Sequence, residues 1–171
     1  RSDSDTPPFA IVSTVTTSGA DYDPRMVIEP QTERIILLFT RDRDISARTV
    51  LETRSDDDGV TWTIPEVAFS SAKHVEVKVG AHDKSIVRVA YVSGYLKATY
   101  QLPGDEDPTA ADAFFLKRAD TGEDFTVEDQ QFGISSSPTL ESSWLLTVMK
   151  LDEMETSDWI STDDCRTWMR L

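Results

Sequence analysis

Apolar residues along this chain come in short bursts of strand length, with almost no helical spacing. The run from Arg34 to Thr40 (RIILLFT) is a continuous apolar run of strand length. The stretches at 74–80 (HVEVKVG) and 85–92 (SIVRVAYV) alternate with period two, the period of a strand. RTVLET (48–53), AFFLKR (113–118), WLLTVMK (144–150) and DWIST (158–162) add further β-branched or aromatic runs. Polar, proline-containing or serine-rich stretches such as IEPQTE, LPGDEDP and SSSPTLESS separate them. Many short strands with regular turns predict an all-β sandwich, barrel or propeller.

An internal repeat chooses among these. Residues 55–62 read Ser-Asp-Asp-Asp-Gly-Val-Thr-Trp, and residues 161–168 read Ser-Thr-Asp-Asp-Cys-Arg-Thr-Trp. Both fit S-x-D-x-G-x-T-W, with Cys165 where the first copy has Gly59. A weaker copy at 118–125 keeps Asp120, Gly122 and a final aromatic, Phe125. The types of residue suit a tight turn closed from above. Asp57, Asp120 and Asp163 can accept hydrogen bonds from turn amides, and Ser55, Thr61, Ser161 and Thr167 can tie the turn with hydroxyls. Gly59 and Gly122 supply a positive φ without a Cβ penalty. Trp62, Phe125 and Trp168 would each cover on the order of 150–250 Å² of apolar surface. If its position needs a positive φ, Cys165 carries about 1–2 kcal/mol of strain, and a distorted third turn is expected.

These strings resemble the Asp box of sialidases and related bacterial-neuraminidase-repeat β-propellers. The resemblance extends over 21–69, where a proline-containing strand, the strand RIILLFT, a third strand and the box follow in the order of a sialidase-type blade. It implies an all-β fold of about three four-stranded antiparallel blades, part of a larger or oligomerically completed propeller. The blades are expected at 9–69, 70–128 and 129–171, after a linker at 1–8. In that family the boxes are structural staples between the third and fourth strands of a blade. The family also grips its substrate carboxylate with an arginine triad and uses a tyrosine nucleophile. Aligning the prolines puts Tyr22, not an arginine, where the first arginine belongs. The implied reading is therefore a module with no catalytic residues, and a fragment of a sialidase-like exo-glycosidase is the alternative. Arg41, Asp42, Arg43 and Asp44 follow the second strand, where the family keeps an acidic and arginine cluster, and they are the candidate ligand contacts. Tyr91, Tyr95 and Tyr100 are candidates for stacking on sugar rings or for packing in strands.

Charge removes several partners. The net charge of −14, from 31 acidic and 17 basic residues, disfavours nucleic acid and anionic membrane surfaces. Asp outnumbers Glu by 20 to 11 and Arg outnumbers Lys by 11 to 6, which suits an acidic extracellular protein or one living in high salt. No apolar stretch is long enough for a membrane helix. The start at Arg1 with RSDSDTPP reads as a processed or excerpted segment. A single cysteine, Cys165, allows no intrachain disulfide. Asp56, Asp57 and Asp58 lack the alternating ligands of an EF-hand loop, and His74 and His82 have no cysteine partners, so neither metal nor cofactor is expected. The expected partners are other copies or chains of a larger assembly and a cell-surface glycan or receptor. The expected place is outside the cell or on a virion surface, as in tail and receptor-binding proteins. Propellers of the photosystem-assembly or sorting-receptor type, which bind protein partners, carry the same box and remain a third reading.

Overall fold

The computed structural model describes residue 15 and residues 21–42, 48–126, 131–137, 139–140, 143–150 and 155–171. Within these, the chain is built of strands and one short 3₁₀ turn, Ala110–Asp112, with no α-helix. The first sheet is an antiparallel meander of β1 (Asp21–Ile28), β2 (Ile35–Asp42), β3 (Arg48–Ser55) and β4 (Glu66–Ser70). The second runs β5 (Ala72–Val79), β6 (Ile86–Val92), β7 (Tyr95–Gln101) and β8 (Phe114–Phe115). After the two-residue β9 (Lys117–Arg118), the third comprises β10 (Gln131–Ser136), β11 (Trp144–Lys150), β12 (Glu155–Ser161) and β13 (Thr167–Arg170).

Turn chemistry fixes these hairpins. Ser93 and Gly94, both at positive φ (52° and 93°), join β6 to β7, the geometry that matches the right-handed twist of paired strands. Between β5 and β6, the Asp83 carboxylate accepts from the Ser85 amide at 3.0 Å and its hydroxyl at 2.8 Å.

The middle sheet is buried on both faces. Alternation along β6 sends Ile86, Ala90 and Val92 into a core with Ile36, Leu38, Val50 and Phe69 of the first sheet. Val87 and Val89 point the other way, into a core with Ile134, Trp144, Leu146 and Trp168 of the third. Arg88 lies among the first set, 1% exposed, and pairs across the sheets with Glu52. From Glu52 the charges continue outward through Arg54 to Asp107, which also takes Arg34. Asp107 belongs to the long β7–β8 connection, so that insert fastens the second sheet to the first.

Four expectations are corrected. The third sheet has five strands, because β9 pairs in parallel with β13. The stretch AFFLKR is not one strand. Leu116 turns inward between β8 and β9, is fully buried, and donates its amide to the Leu96 carbonyl. The weak copy at 118–125 accordingly does not link the third and fourth strands of the middle sheet. That link is the 102–113 connection, and the copy forms a separate small hairpin beyond it. The first sheet also runs to Ser70, one residue past the expected boundary.

Candidate functional site

The two complete strings fold alike. Ser55 donates its hydroxyl to Asp57 at 2.8 Å, and Asp57 then accepts from the Thr61 amide at 2.8 Å and the Thr61 hydroxyl at 2.6 Å. The Trp62 indole closes the turn on the Gly59 carbonyl at 3.0 Å. In the other copy, Ser161 donates to Asp163 at 2.8 Å, and Asp163 accepts from Thr167 at 2.9 and 2.6 Å. The Trp168 indole reaches the Cys165 carbonyl at 2.9 Å. Hydrogen bonds from Thr61 and Ser55 hold the Asp57 carboxyl below its usual range. Burial pushes Asp163 up, but its bonds from Thr167 and Ser161 more than offset this.

The distortion expected at Cys165 is absent. Cys165 adopts φ +64° against +84° at Gly59 and keeps the same closing bonds, so the turn tolerates the left-handed thiol. Full burial of Cys165 and Trp168 in the core between the second and third sheets accompanies that tolerance. Trp62 is half-buried.

The weak copy does not share this geometry. Asp120 faces Arg118, at 3.2 and 2.9 Å, instead of tying the turn together as Asp57 does. Gly122 keeps a positive φ of 71°, and Phe125 is buried edge-on against Trp159 at 4.7 Å. Arg118, two residues before it, is the main partner of Asp120, with backbone amides of the turn contributing less.

The candidate ligand contacts lie at the start of β1 and the end of β2. Strand pairing sets Asp21 opposite Arg41 and Tyr22 opposite Thr40. Arg41 grips Asp21 with two bonds, Nε at 2.7 Å and Nη2 at 2.8 Å. Asp42 accepts from Arg48 at 2.9 Å and from the Tyr22 hydroxyl at 3.3 Å. Burial and the neighbouring Asp42 raise the Tyr22 phenol, while Arg48 acts against them. Arg43 and Asp44 lie outside the described residues.

Further along β1, the register slips between Tyr22 and Arg25, with Asp23 at φ 53°. Pro24 has no amide to donate, so the slip costs the ladder little there. It aims Asp23 and Arg25 at β5. Asp23 meets His74 Nδ1 at 2.8 Å and Arg25 at 2.6 Å, and Arg25 reaches Glu76 at 2.9 Å. His74 also stands edge-on to Phe132 of β10 at 4.9 Å, so one imidazole touches all three sheets.

The fold of the chain is sialidase-like. A solved structure described as "Hadza microbial sialidase Hz136" superposes with a TM-score of 0.60 at 15% sequence identity, over 88% of this chain and 33% of that one. The chain thus spans about a third of the length of that sialidase. No protein-family model and no curated protein matches the chain. At this identity the likeness is one of fold.

Within the sialidase-like fold, the chemistry at the start of β1 is self-neutralising. Arg25, Arg41 and Arg48 each face a carboxylate of the chain itself. Among the described residues, no three His, Cys, Asp or Glu side chains are placed to hold a metal ion. Of the candidate stacking tyrosines, Tyr100 is tied to Asp83 at 2.7 Å and Tyr91 packs against the second core. Tyr95 is exposed. Sequence reasoning missed the Asp23–Arg25–His74–Glu76 cluster, whose halves lie about fifty positions apart. The signal available was the alternation in HVEVKV, which puts His74, Glu76 and Lys78 on one face.

Proposed function

We propose that the chain is a non-catalytic, sialidase-like β-propeller module. It acts as a structural and recognition platform, with a glycan as ligand, in a secreted or virion-surface tail or receptor-binding protein. The observation that carries this reading is the state of the arginines. A carboxylate sugar held by guanidinium forks must meet unengaged cations. Here Asp21 already occupies Arg41 with two bonds, Asp23 and Glu76 occupy Arg25, and Asp42 occupies Arg48. Tyr22 stands where an arginine would be needed. Ion-paired Asp and Arg side chains beside an exposed tyrosine still offer fixed donors and acceptors to neutral sugar hydroxyls. The outer face of the first sheet supports further chains as partners, because Met26, Ile28 and Val67 are exposed there at 61%, 56% and 43%.

The test is hydrolysis of a fluorogenic sialoside by this chain and by the longest protein that contains it. No turnover is expected from either. Turnover lost on Arg41→Ala or Asp44→Ala would instead establish the second reading, a share of a sialidase-like exo-glycosidase. What favours that reading is the position of Asp42 at the end of β2, beside Tyr22 and Arg48.

A further inference from the structure

The hairpin that lost the aspartate-tied turn has acquired something else. Its strands bridge at Lys117 and Asp124, the Gly122 amide closes on the Arg118 carbonyl at 2.8 Å, and Thr126 returns to bridge Tyr95 on β7. Between Tyr95 and this hairpin lies an open depression of about 410 Å³, walled by Lys117, Arg118, Gly122, Glu123, Asp124 and Thr126. That volume falls within the range of small-molecule sites. Tyr95 is 38% exposed. Phe115 braces it edge-on at 5.5 Å, and Lys97 in turn caps Phe115 at 4.2 Å from the ring centroid. The aromatic wall is therefore fixed before any ligand arrives, which lowers the entropy cost of binding.

The opposite wall is polar and of mixed sign. Lys117 and Asp124 form a loose pair at 3.6 Å, and the exposed Glu123 and Thr126 add an acceptor and a hydroxyl. A purely apolar ligand gains nothing from such a wall. Lys117 and Arg118 balance Glu123 and Asp124 on this wall, so what disfavours an anion is the overall charge of −14. A neutral pyranose fits both sides. Its C–H face lies on an aromatic ring, and its hydroxyls give and take hydrogen bonds with ammonium and carboxylate groups.

We propose that Tyr95 and the Lys117–Thr126 hairpin form a binding site for a neutral pyranose on the middle sheet. The site is separate from the Arg41 end of the first sheet and does not depend on the reading given to that end. Amide spectra of the chain, titrated with methyl glycosides of glucose, galactose, mannose and N-acetylglucosamine, test it directly. At least one glycoside is expected to shift the amides of Tyr95, Gly122 and Thr126, with a dissociation constant of about millimolar order. Tyr95→Ala and Glu123→Gln are each expected to weaken that binding about tenfold, the loss of one stacking or charge-assisted contact. Arg41→Ala should leave it unchanged, and methyl sialoside should bind more weakly than the neutral sugar. The proposal is overturned if none of the four glycosides moves these amides, if both variants bind as the parent does, or if the sialoside binds best.

Discussion

Arg88 and Glu52 meet across the first two sheets, Nε to Oε2 at 2.6 Å and Nη2 to Oε1 at 3.2 Å, with almost no solvent on either side chain. A pair so placed holds one relative position of the sheets, because neither charge can be stranded without cost. Removing Glu52 alone leaves a buried guanidinium unpaired. Glu52→Ala is expected to lower unfolding free energy by about 3–5 kcal/mol in urea titrations. The double variant Arg88→Met with Glu52→Leu replaces both charges by apolar groups and should recover most of that loss. A single variant within about 0.5 kcal/mol of the parent would mean the pair contributes nothing beyond surface bridges.

The aspartates of the two tied turns give an acid-side prediction. Asp163 has its carboxyl pKa lowered in the folded chain, burial notwithstanding, by its bonds from Thr167 and Ser161. A depressed folded pKa contributes stability that is present above the unfolded value, about 3.9, and lost as pH falls through the folded value. Thermal melts from neutral pH down to about pH 3 should therefore show a steeper loss for the parent than for Asp163→Asn. Asp120→Asn should track the parent at neutral pH, since the main partner of Asp120 is the exposed Arg118, held in the manner of a surface pair. If Asp120→Asn proved as damaging as Asp163→Asn, the two turns would be equivalent after all.

How far the sequence reached depends on the range of each interaction. β2, β6 and β11 were legible because burial is written locally as runs and alternation: Ile35 to Phe39, Ile86 to Val92, Trp144 to Val148. The Ser55–Trp62 and Ser161–Trp168 turns were legible because every bond in them spans at most four residues. The Lys117–Asp124 hairpin was not. Whether Asp120 ties its turn depends on Arg118, and whether AFFLKR stays one strand depends on Leu116 finding Leu96. The pairing of β9 with β13 joins segments about fifty residues apart, and no local pattern announces it. The charge cluster at β1 and β5 was hidden for the same reason. Asp23 and His74 meet only because the two leading strands lie side by side, 51 positions apart along the chain.

Cys165 should be chemically silent in the folded protein. It is fully buried, and burial, with help from Asp164, Asp163 and Asp83, pushes its thiol far above the ordinary value. An aromatic disulfide reagent is expected to label it only at the rate of unfolding, and promptly in denaturant. Labelling within seconds under native conditions would show that the turn opens locally. The matching position offers a steric check. Gly59→Ala places a Cβ at φ +84° and should cost about 1–2 kcal/mol, the price of a left-handed side chain. Cys165→Gly removes that strain but also a buried side chain, so its net effect should stay within about 1 kcal/mol.

His74 gives the base-side counterpart. Its bond to Glu76 and its shorter one to Asp23 raise the imidazole above 6.5, against the opposing effect of burial. The other charges around it are Arg25 on β1 and Lys78 on β5, both pulled toward Glu76, while the β10 side presents the uncharged Phe132 ring. A raised folded pKa contributes stability that is complete below the unfolded value and is lost as pH rises through the folded one. Since His74 touches all three sheets, its deprotonation loosens the junction between them. The His74 ring protons should titrate above pH 6.5 by NMR. The parent should lose stability on going from about pH 6 to above that midpoint, and His74→Gln should lose the pH dependence but keep the fold. A midpoint below 6.5, or a parent and variant with parallel pH profiles, would mean that the two carboxylates do not hold the imidazolium.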